Sequence, residues 1–452
     1  MLDPDWSAGR RDGIERALRS AIRSGRLVAG TALPSTRALA ADLGVARGTV
    51  VDAYRQLVVE GWLVARPGGR TVVASVPAVP ATPAAEPRVP PPAVDLRAGA
   101  PDLSAFPAGA WLAATRRVLR SGPANALDYA PPRGRPELAG ALAAYLARSR
   151  GVVAGPGQVV VCSGIDHALA VVTRALAATG RRDLALEDPC LPFHRTIVGA
   201  GGGRIAPAPV DGDGVVVDAL GDAGAAVVTP ARQALLGVPL APARRSALLA
   251  WARDGDRIVV EDDYDGELRY DRQPVGALQG LDPERVVYLG TLSKSLAPGL
   301  RLAWAVVPAG LAGAVDGALG PHSQVSSLDQ LVAADLLRSH SFDRHLARLR
   351  GTYRRRRDEF VARLSAAAPR VRVDGVAAGL HALVGWPAGV TTEAAVTAEA
   401  AARGIGVTPL GPSWHGPPRG EGVMVGYGRP PAHDRRRCYE AFAALMADVS
   451  GE

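Results

Sequence analysis

The stretch Gly290-Thr291-Leu292-Ser293-Lys294-Ser295-Leu296-Ala297-Pro298-Gly299-Leu300-Arg301 decides how the chain is read. Lys294 is its only lysine, so the 52 Lys and Arg residues are this one lysine and 51 arginines. Arginine supplies positive charge everywhere else, and charge is therefore not the reason a single lysine is kept. A primary amine can lose its proton and attack a carbonyl to form a Schiff base, which a guanidinium cannot do. The simpler alternative is an incidental surface lysine, and position speaks against it. The β-like run Arg285-Val286-Val287-Tyr288-Leu289 leads into the stretch, small hydroxyl residues flank the lysine, and Arg301 follows seven residues on, where it could meet a phosphate.

With those residues in hand, the stretch resembles the cofactor-lysine segment of fold-type I pyridoxal-phosphate proteins. Its Ser-Lys-Ser-Leu-x-Pro-Gly-Leu-Arg form is similar to that of the MocR/GabR branch of GntR-type regulators, which join a winged helix-turn-helix to an aminotransferase-like domain. The resemblance implies two domains of different class, and the rest of the chain can be read against that expectation.

At 452 residues the chain is long enough for two or three domains. It is 48% hydrophobic and 21% charged, ordinary values for a soluble globular protein. No run of eighteen apolar residues occurs and no charged leader precedes an apolar segment, so neither a membrane span nor a signal peptide is expected. Cys162, Cys190 and Cys438 have no metal-ligand spacing; no metal is expected, and an odd, sparse set fits a reducing cytoplasm. The net charge of +8 is compatible with nucleic acid binding and is weak evidence for it.

Residues 1–75 read as three helices and a hairpin. Ile14, Leu18 and Ile22 give one helical face, and Gly25 a stop. Ser35 can cap a second helix carrying Leu39 and Leu43 and ended by Gly44. Val50, Ala53, Tyr54 and Leu57 mark a third, closed by Gly61; Trp62–Ala65 and Thr71–Ala74 are short strands around Arg66-Pro67-Gly68-Gly69-Arg70. Three helices followed by a tight hairpin make a winged helix-turn-helix, whose third helix enters the major groove. The segment holds eleven Arg against seven Asp and Glu, a net of 11 − 7 = +4. Arg47 and Thr49 are candidates for base contact, Ser35, Thr36, Arg37 and Tyr54 for phosphate, and Arg66, Gly68 and Arg70 form the wing. A small protein-interaction module with a solvated basic face is the alternative. The whole segment resembles a GntR-type DNA-binding domain, with two departures: Ala46 and Gly48 flank Arg47 where the family usually has Ser and Asn. Helix three is therefore expected to start less firmly.

Residues 76–93 are rich in Pro and Ala and read as an extended spacer of roughly 3 Å per residue. From residue 94 to 452, helix-like and strand-like segments alternate, the pattern of an α/β domain with a largely parallel sheet and its ligand site at strand C-terminal ends. Strands are expected at 159–161, 184–186, 226–228, 258–260, 286–289 and 302–307. The resemblance implies a type I aminotransferase fold with pyridoxal 5'-phosphate bonded to Lys294, Asp262 pairing with the pyridine nitrogen and Tyr264 bonding the ring oxygen. By the same resemblance Ser163, Gly164, Ile165, Thr291, Ser293 and Arg301 surround the phosphate, and Tyr129 reaches the phosphate of a partner subunit in a homodimer. Four departures stand out. Asp166 and His167 replace two Gln; Leu191 replaces the aromatic that stacks on the ring, with Phe193 nearby; Ala231-Arg232-Gln233 replaces Ser-His-Gln; and Met424 stands where aminotransferases place the Arg that grips a substrate carboxylate. The expected function is a cytoplasmic, DNA-binding transcriptional regulator on a paired operator, sensing a small amine or amino acid through the pyridoxal-phosphate domain. Sensing of pyridoxal phosphate itself is the alternative, and a working aminotransferase with an appended DNA-binding domain the third reading.

Overall fold

The computed structural model describes residues 4–7, 9–65, 70–75, 90–270 and 275–451. They fall into two compact units, Met1–Pro90 and Pro91–Glu452. In the first, helices α1 (Arg10–Arg23), α2 (Thr36–Leu43) and α3 (Arg47–Val59) precede strands β1 (Leu63–Val64) and β2 (Val72–Val73). The apolar positions at helical spacing, Ile14, Leu18, Leu39, Val50 and Leu57, close on one core with Leu63 and Val73. Ser35 caps α2, its Oγ accepting from the Ala38 N–H at 3.1 Å. Gly44 ends that helix in the left-handed region, φ 63°, which a side chain would strain. α3 begins after Ala46 without a side-chain cap, as its sequence leads one to expect. Gly48 is the second residue of α3 and not an interior one, so its cost is below the ~1 kcal/mol of a mid-helix glycine. β1 and β2 pair antiparallel, with Leu63 opposite Val73. The wing tip, including Arg66 and Gly68, lies outside the described residues, as do 76–89 of the expected spacer.

The second unit is built on eight strands. They are β4 (Val159–Cys162), β5 (Asp183–Asp188), β6 (Arg204–Asp211), β7 (Gly214–Val215), β8 (Ala225–Val228), β9 (Ile258–Asp262), β10 (Val286–Thr291) and β11 (Ala303–Val306), all preceded in the chain by a short strand β3 (Val94–Asp95). Their order across the sheet is β4-β11-β10-β9-β8-β5-β6-β7. Alternate residues feed two cores: Val161, Tyr288 and Trp304 point to one face, Val160, Val287 and Ala305 to the other. Burial on both faces is why β4, β8, β10 and β11 and the start of β9 read as apolar runs. The expectation of a largely parallel sheet needs one correction. The segment expected at 302–307 is β11, and it runs antiparallel to both β10 and β4. Only eleven residues, 292 to 302, separate β10 from β11, too few for the helical crossover a parallel connection requires.

That reversal matters for position. β4 and β10 both run against β11, and Cys162 and Thr291 both sit opposite Ala303. The ends of the parallel strands and the start of β11 therefore share one sheet edge. Beyond them a second sheet of β12 (Arg372–Asp374), β13 (Ala382–Gly385), β15 (Thr408–Pro409) and β16 (Val423–Val425), in order β12-β13-β16-β15, packs with helices Ser341–Ala367 and Arg435–Ser450 around Phe360, Tyr427 and Phe442. Between β13 and β15, β14 (Ile405–Gly406) pairs with β3. No helix among the described residues is long and apolar enough to cross a membrane.

Candidate functional site

At the shared edge lies a cavity of about 320 Å³, within the range of small-molecule sites. Seven of the ten residues proposed for the cofactor line it: Ile165, Asp262, Tyr264, Thr291, Ser293, Lys294 and Arg301. Ser163 and Gly164 adjoin it through Arg301, whose Nη2 donates to the Ser163 carbonyl at 2.7 Å. A β-carbon on Gly164, whose φ is 97°, would come within 2.4 Å of that guanidinium, so only glycine fits there. Tyr129 lies apart from this cavity. It is exposed, stacked on His322, beside a different hollow formed with residues 323–328.

Lys294 Nζ donates to the Gly99 carbonyl at 2.5 Å. Burial lowers its pKa, with Asp265 and Asp262 opposing the shift. A lowered pKa increases the share of neutral, nucleophilic amine. Asp262 is the last residue of β9, and its Oδ2 lies 3.3 Å from Nε2 of His194. Its Oδ1 is buried and has no hydrogen-bond partner among the described residues. A buried acceptor left without a donor is costly, and a protonated ring nitrogen is the donor such an oxygen can take. The Tyr264 hydroxyl accepts from Arg232 Nη1 at 2.8 Å, and burial holds the phenol's pKa well above its ordinary value, so it keeps its proton. At the other end, Ser293 N–H donates to Thr291 Oγ1 at 3.1 Å and Thr291 Oγ1 to Ser293 Oγ at 2.9 Å, which folds the hydroxyl loop back on itself.

His194 and His381 escape a reading of the sequence, and Arg232 enters it only as a departure. Arg232 is buried between Tyr264, Asp265 (Nη1–Oδ2 3.0 Å) and the His381 carbonyl (2.7 Å). It thus spends its fork on the protein and does not line the cavity. His381 does line it, and burial, followed by the nearby Arg232 charge, lowers its pKa well below the ordinary value, leaving a neutral imidazole. Met424 also lines the cavity, packed with Leu191, Ala234 and Leu410. Arg419 and Arg429, which flank Met424 in the sequence, do not line the cavity, and Arg429 pairs with Asp95 at 2.9 Å. Phe193 joins Leu191 on the wall. Cys162, Cys190 and Cys438 are all buried free thiols.

In the first unit, Ser35, Thr36 and Arg37 gather at the start of α2 and Arg47 and Thr49 at the start of α3; Arg37, Arg47 and Arg70 are exposed. Tyr54 is a correction. It is buried in the core, and its hydroxyl donates to the Pro34 carbonyl at 3.0 Å. It braces the turn before α2 and is not presented to a phosphate.

The family model for bacterial regulatory proteins of the gntR family matches residues 10–73, and that for aminotransferase class I and II matches residues 91–413. The pyridoxine biosynthesis transcriptional regulator PdxR of Corynebacterium glutamicum is 33% identical over 99% of this chain and 97% of its own. The probable rhizopine catabolism regulatory protein MocR of Rhizobium meliloti is 33% identical over 94% of this chain and 92% of its own. Among solved structures, kynurenine aminotransferase of Pyrococcus horikoshii, in complex with PMP, superposes with a TM-score of 0.71 at 23% identity, covering 79% of this chain and 90% of that one.

Proposed function

The chain belongs to the MocR-type GntR regulators, a helix-turn-helix domain joined to an aminotransferase-fold domain, and from that premise we propose that it is a DNA-binding transcriptional regulator whose larger domain binds pyridoxal 5'-phosphate and senses a small amine or amino acid. The observation that carries the proposal is a half-buried lysine, the chain's only one, lining the same cavity as a buried carboxylate oxygen that has no hydrogen-bond partner among the described residues. When bound, pyridoxal phosphate supplies an aldehyde for amines and a ring that withdraws electrons. The chain's own residues do the rest. Lys294 offers an amine with a lowered pKa, Asp262 an acceptor for the ring nitrogen, Tyr264 a hydroxyl for the ring oxygen, and Arg301 with the first turn of helix Ile165–Ala178 a positive end for the phosphate. Leu191, Phe193 and Met424 give the cavity apolar lining.

On this reading a cytoplasmic homodimer, with Tyr129 turned outward for the partner subunit, carries two DNA-binding domains to a paired operator. DNA occupancy then changes only as far as the ligand prefers one arrangement of the dimer. The domains run 1–75 and 94–452, joined by a Pro/Ala-rich spacer. One observation favours a second reading, in which pyridoxal phosphate is itself the signal. Met424 and its apolar neighbours fill the wall where an amino acid's carboxylate would need a cation. The same wall argues for sensing over amino-acid turnover.

The test is spectroscopic. Adding pyridoxal phosphate to the purified chain is expected to produce a new absorbance band that Lys294→Ala abolishes completely, while the variant still binds DNA. Absence of a band in the parent would overturn the cofactor reading. For the DNA-binding domain, Arg47→Ala is expected to weaken operator binding by ~1–3 kcal/mol. Because the Arg47 side chain is exposed, the melting temperature should stay where it is. Fluorescence anisotropy on an operator duplex measures the first and a thermal scan the second.

A further inference from the structure

Arg301, which lines the cavity, already pairs with one of the protein's own carboxylates, Asp166, in a half-exposed ion pair. Arg301 Nη2 donates to Asp166 Oδ1 at 2.5 Å and to Oδ2 at 2.7 Å, besides its bond to the Ser163 carbonyl. Asp166 also sits in the first turn of helix Ile165–Ala178, where a carboxylate complements the positive end of the helix. One turn away, the Ser163 N–H is taken by His167 Nδ1 at 3.1 Å. Of the devices that would hold an anion here, the guanidinium donates to Asp166 through Nη2 and the Ser163 amide is taken by His167, while Asp166 lies in the first turn of the helix without capping its N–H groups. Asp166 and His167 are the two residues that stand where the family usually carries uncharged Gln. A phosphate arriving at Arg301 must share it with a carboxylate or displace that carboxylate, and two anions around one guanidinium repel each other.

Resting on the reading of the Lys294 cavity as a pyridoxal-phosphate site, we propose that Asp166 sets the phosphate selectivity of that site by competing, from within the chain, for Arg301. The consequence is a site that gains little affinity from the ligand's phosphate. Pyridoxal and pyridoxal phosphate then bind with similar strength, and occupancy by the phosphorylated form follows its free concentration instead of being permanent. Gly164 keeps the arrangement close, since a β-carbon there would strike Asp166 Oδ1 at 2.4 Å as well as the guanidinium.

The experiment titrates the full-length parent, Asp166→Asn and Arg301→Gln with pyridoxal phosphate and, separately, with unphosphorylated pyridoxal, following the absorbance band. Asn keeps the shape and a first-turn polar group, so Asp166→Asn is expected to fold; Arg301→Gln probes the same pair from its other side. Asp166→Asn should tighten pyridoxal phosphate by about tenfold or more and leave pyridoxal within about twofold of the parent. Inorganic phosphate should compete with pyridoxal phosphate more strongly in Asp166→Asn than in the parent. Arg301→Gln should lower pyridoxal phosphate affinity in the parent by less than it does in the Asp166→Asn background. Bands that form through Lys294 but respond to Asp166→Asn equally for both aldehydes, or not at all, would overturn the role of Asp166 while leaving the cofactor reading intact. If neither aldehyde gives a band that depends on Lys294 in any variant, both fall together.

Discussion

Asp263→Ala is expected to destabilise the larger domain by about 3 kcal/mol, the lower end of what removing one partner from a buried ion pair costs. Arg150 and Asp263 are the most completely enclosed pair in the site's surroundings, at 2% and 0% side-chain exposure, with Nε–Oδ2 at 2.7 Å. The Tyr288 hydroxyl donates to the same oxygen at 2.7 Å. Without Asp263 the guanidinium keeps its charge in a place water cannot reach. Asp263 helps raise the pKa of the neighbouring Glu261 and Glu267 carboxyls, so its removal lets them ionise beside Arg150 and compensate in part, which is why the lower end applies. Denaturant melts of parent and Asp263→Ala measure the loss, and replacing both partners by apolar residues of similar volume should lose less than the single change does. A single mutant as stable as the parent would mean the pair adds nothing. Asp263 lies between Asp262 and Tyr264 in sequence, so its anchorage to Arg150 is also what fixes the strand end carrying both.

How much of this was readable beforehand depended on how local each feature was. The three helices of the first domain were legible because their apolar positions repeat at helical spacing and Ser35 and Gly44 punctuate them. The same periodicity already placed Tyr54 on the apolar face beside Val50 and Leu57; its assignment to a phosphate went against that pattern, and the structure buries it there with its hydroxyl on the Pro34 carbonyl. The antiparallel course of β11 left no mark in its composition, since a strand buried on both faces reads the same in either direction. Only the short connection after β10 carried the information.

In the cavity, the lysine, the aspartate, the tyrosine and the arginine announced themselves through local motifs at strand ends, and the structure gathers them at one edge. The residues that were missed come from far along the chain. Arg232 meets His381 across 149 positions, and His194 meets Asp262 only after folding. The consequence of Asp166 was half visible: its charge beside a phosphate site was evident in sequence, but not that it would take Arg301 for itself. Met424 was legible as an absence of cation, and in the structure it sits in an apolar cluster with Leu191, Ala234 and Leu410, Arg301 being the one arginine among the described residues that line the cavity.

The second large effect is on pH. Burial pushes the Glu267 carboxyl up to about 7 from an ordinary 4.5, with Asp263 reinforcing and the Tyr145 hydroxyl bond opposing. Burial raises Glu261 to about 7 as well, against two backbone N–H donors from Leu278 and Gln279. Between pH 4.5 and about 7 the folded chain holds protons at these carboxyls that the unfolded chain has released. The folded state binds more protons in that window, so stability is full below it and falls as pH rises through it. The loss is roughly 3 kcal/mol for each carboxyl at most. Glu267→Gln places a neutral group of the same shape at the site, and its amide oxygen can still accept from Tyr145. It should therefore match the parent well below pH 4.5, where the carboxyl is protonated in both states, and exceed it above pH 7. Urea midpoints of the two proteins at pH 5 and pH 7.5 decide it. A parent whose midpoint rises between those values, or a variant whose slope with pH equals the parent's, would mean that Glu267 is ionised in the fold and that Arg150 is shared among three carboxylates instead of serving Asp263 foremost.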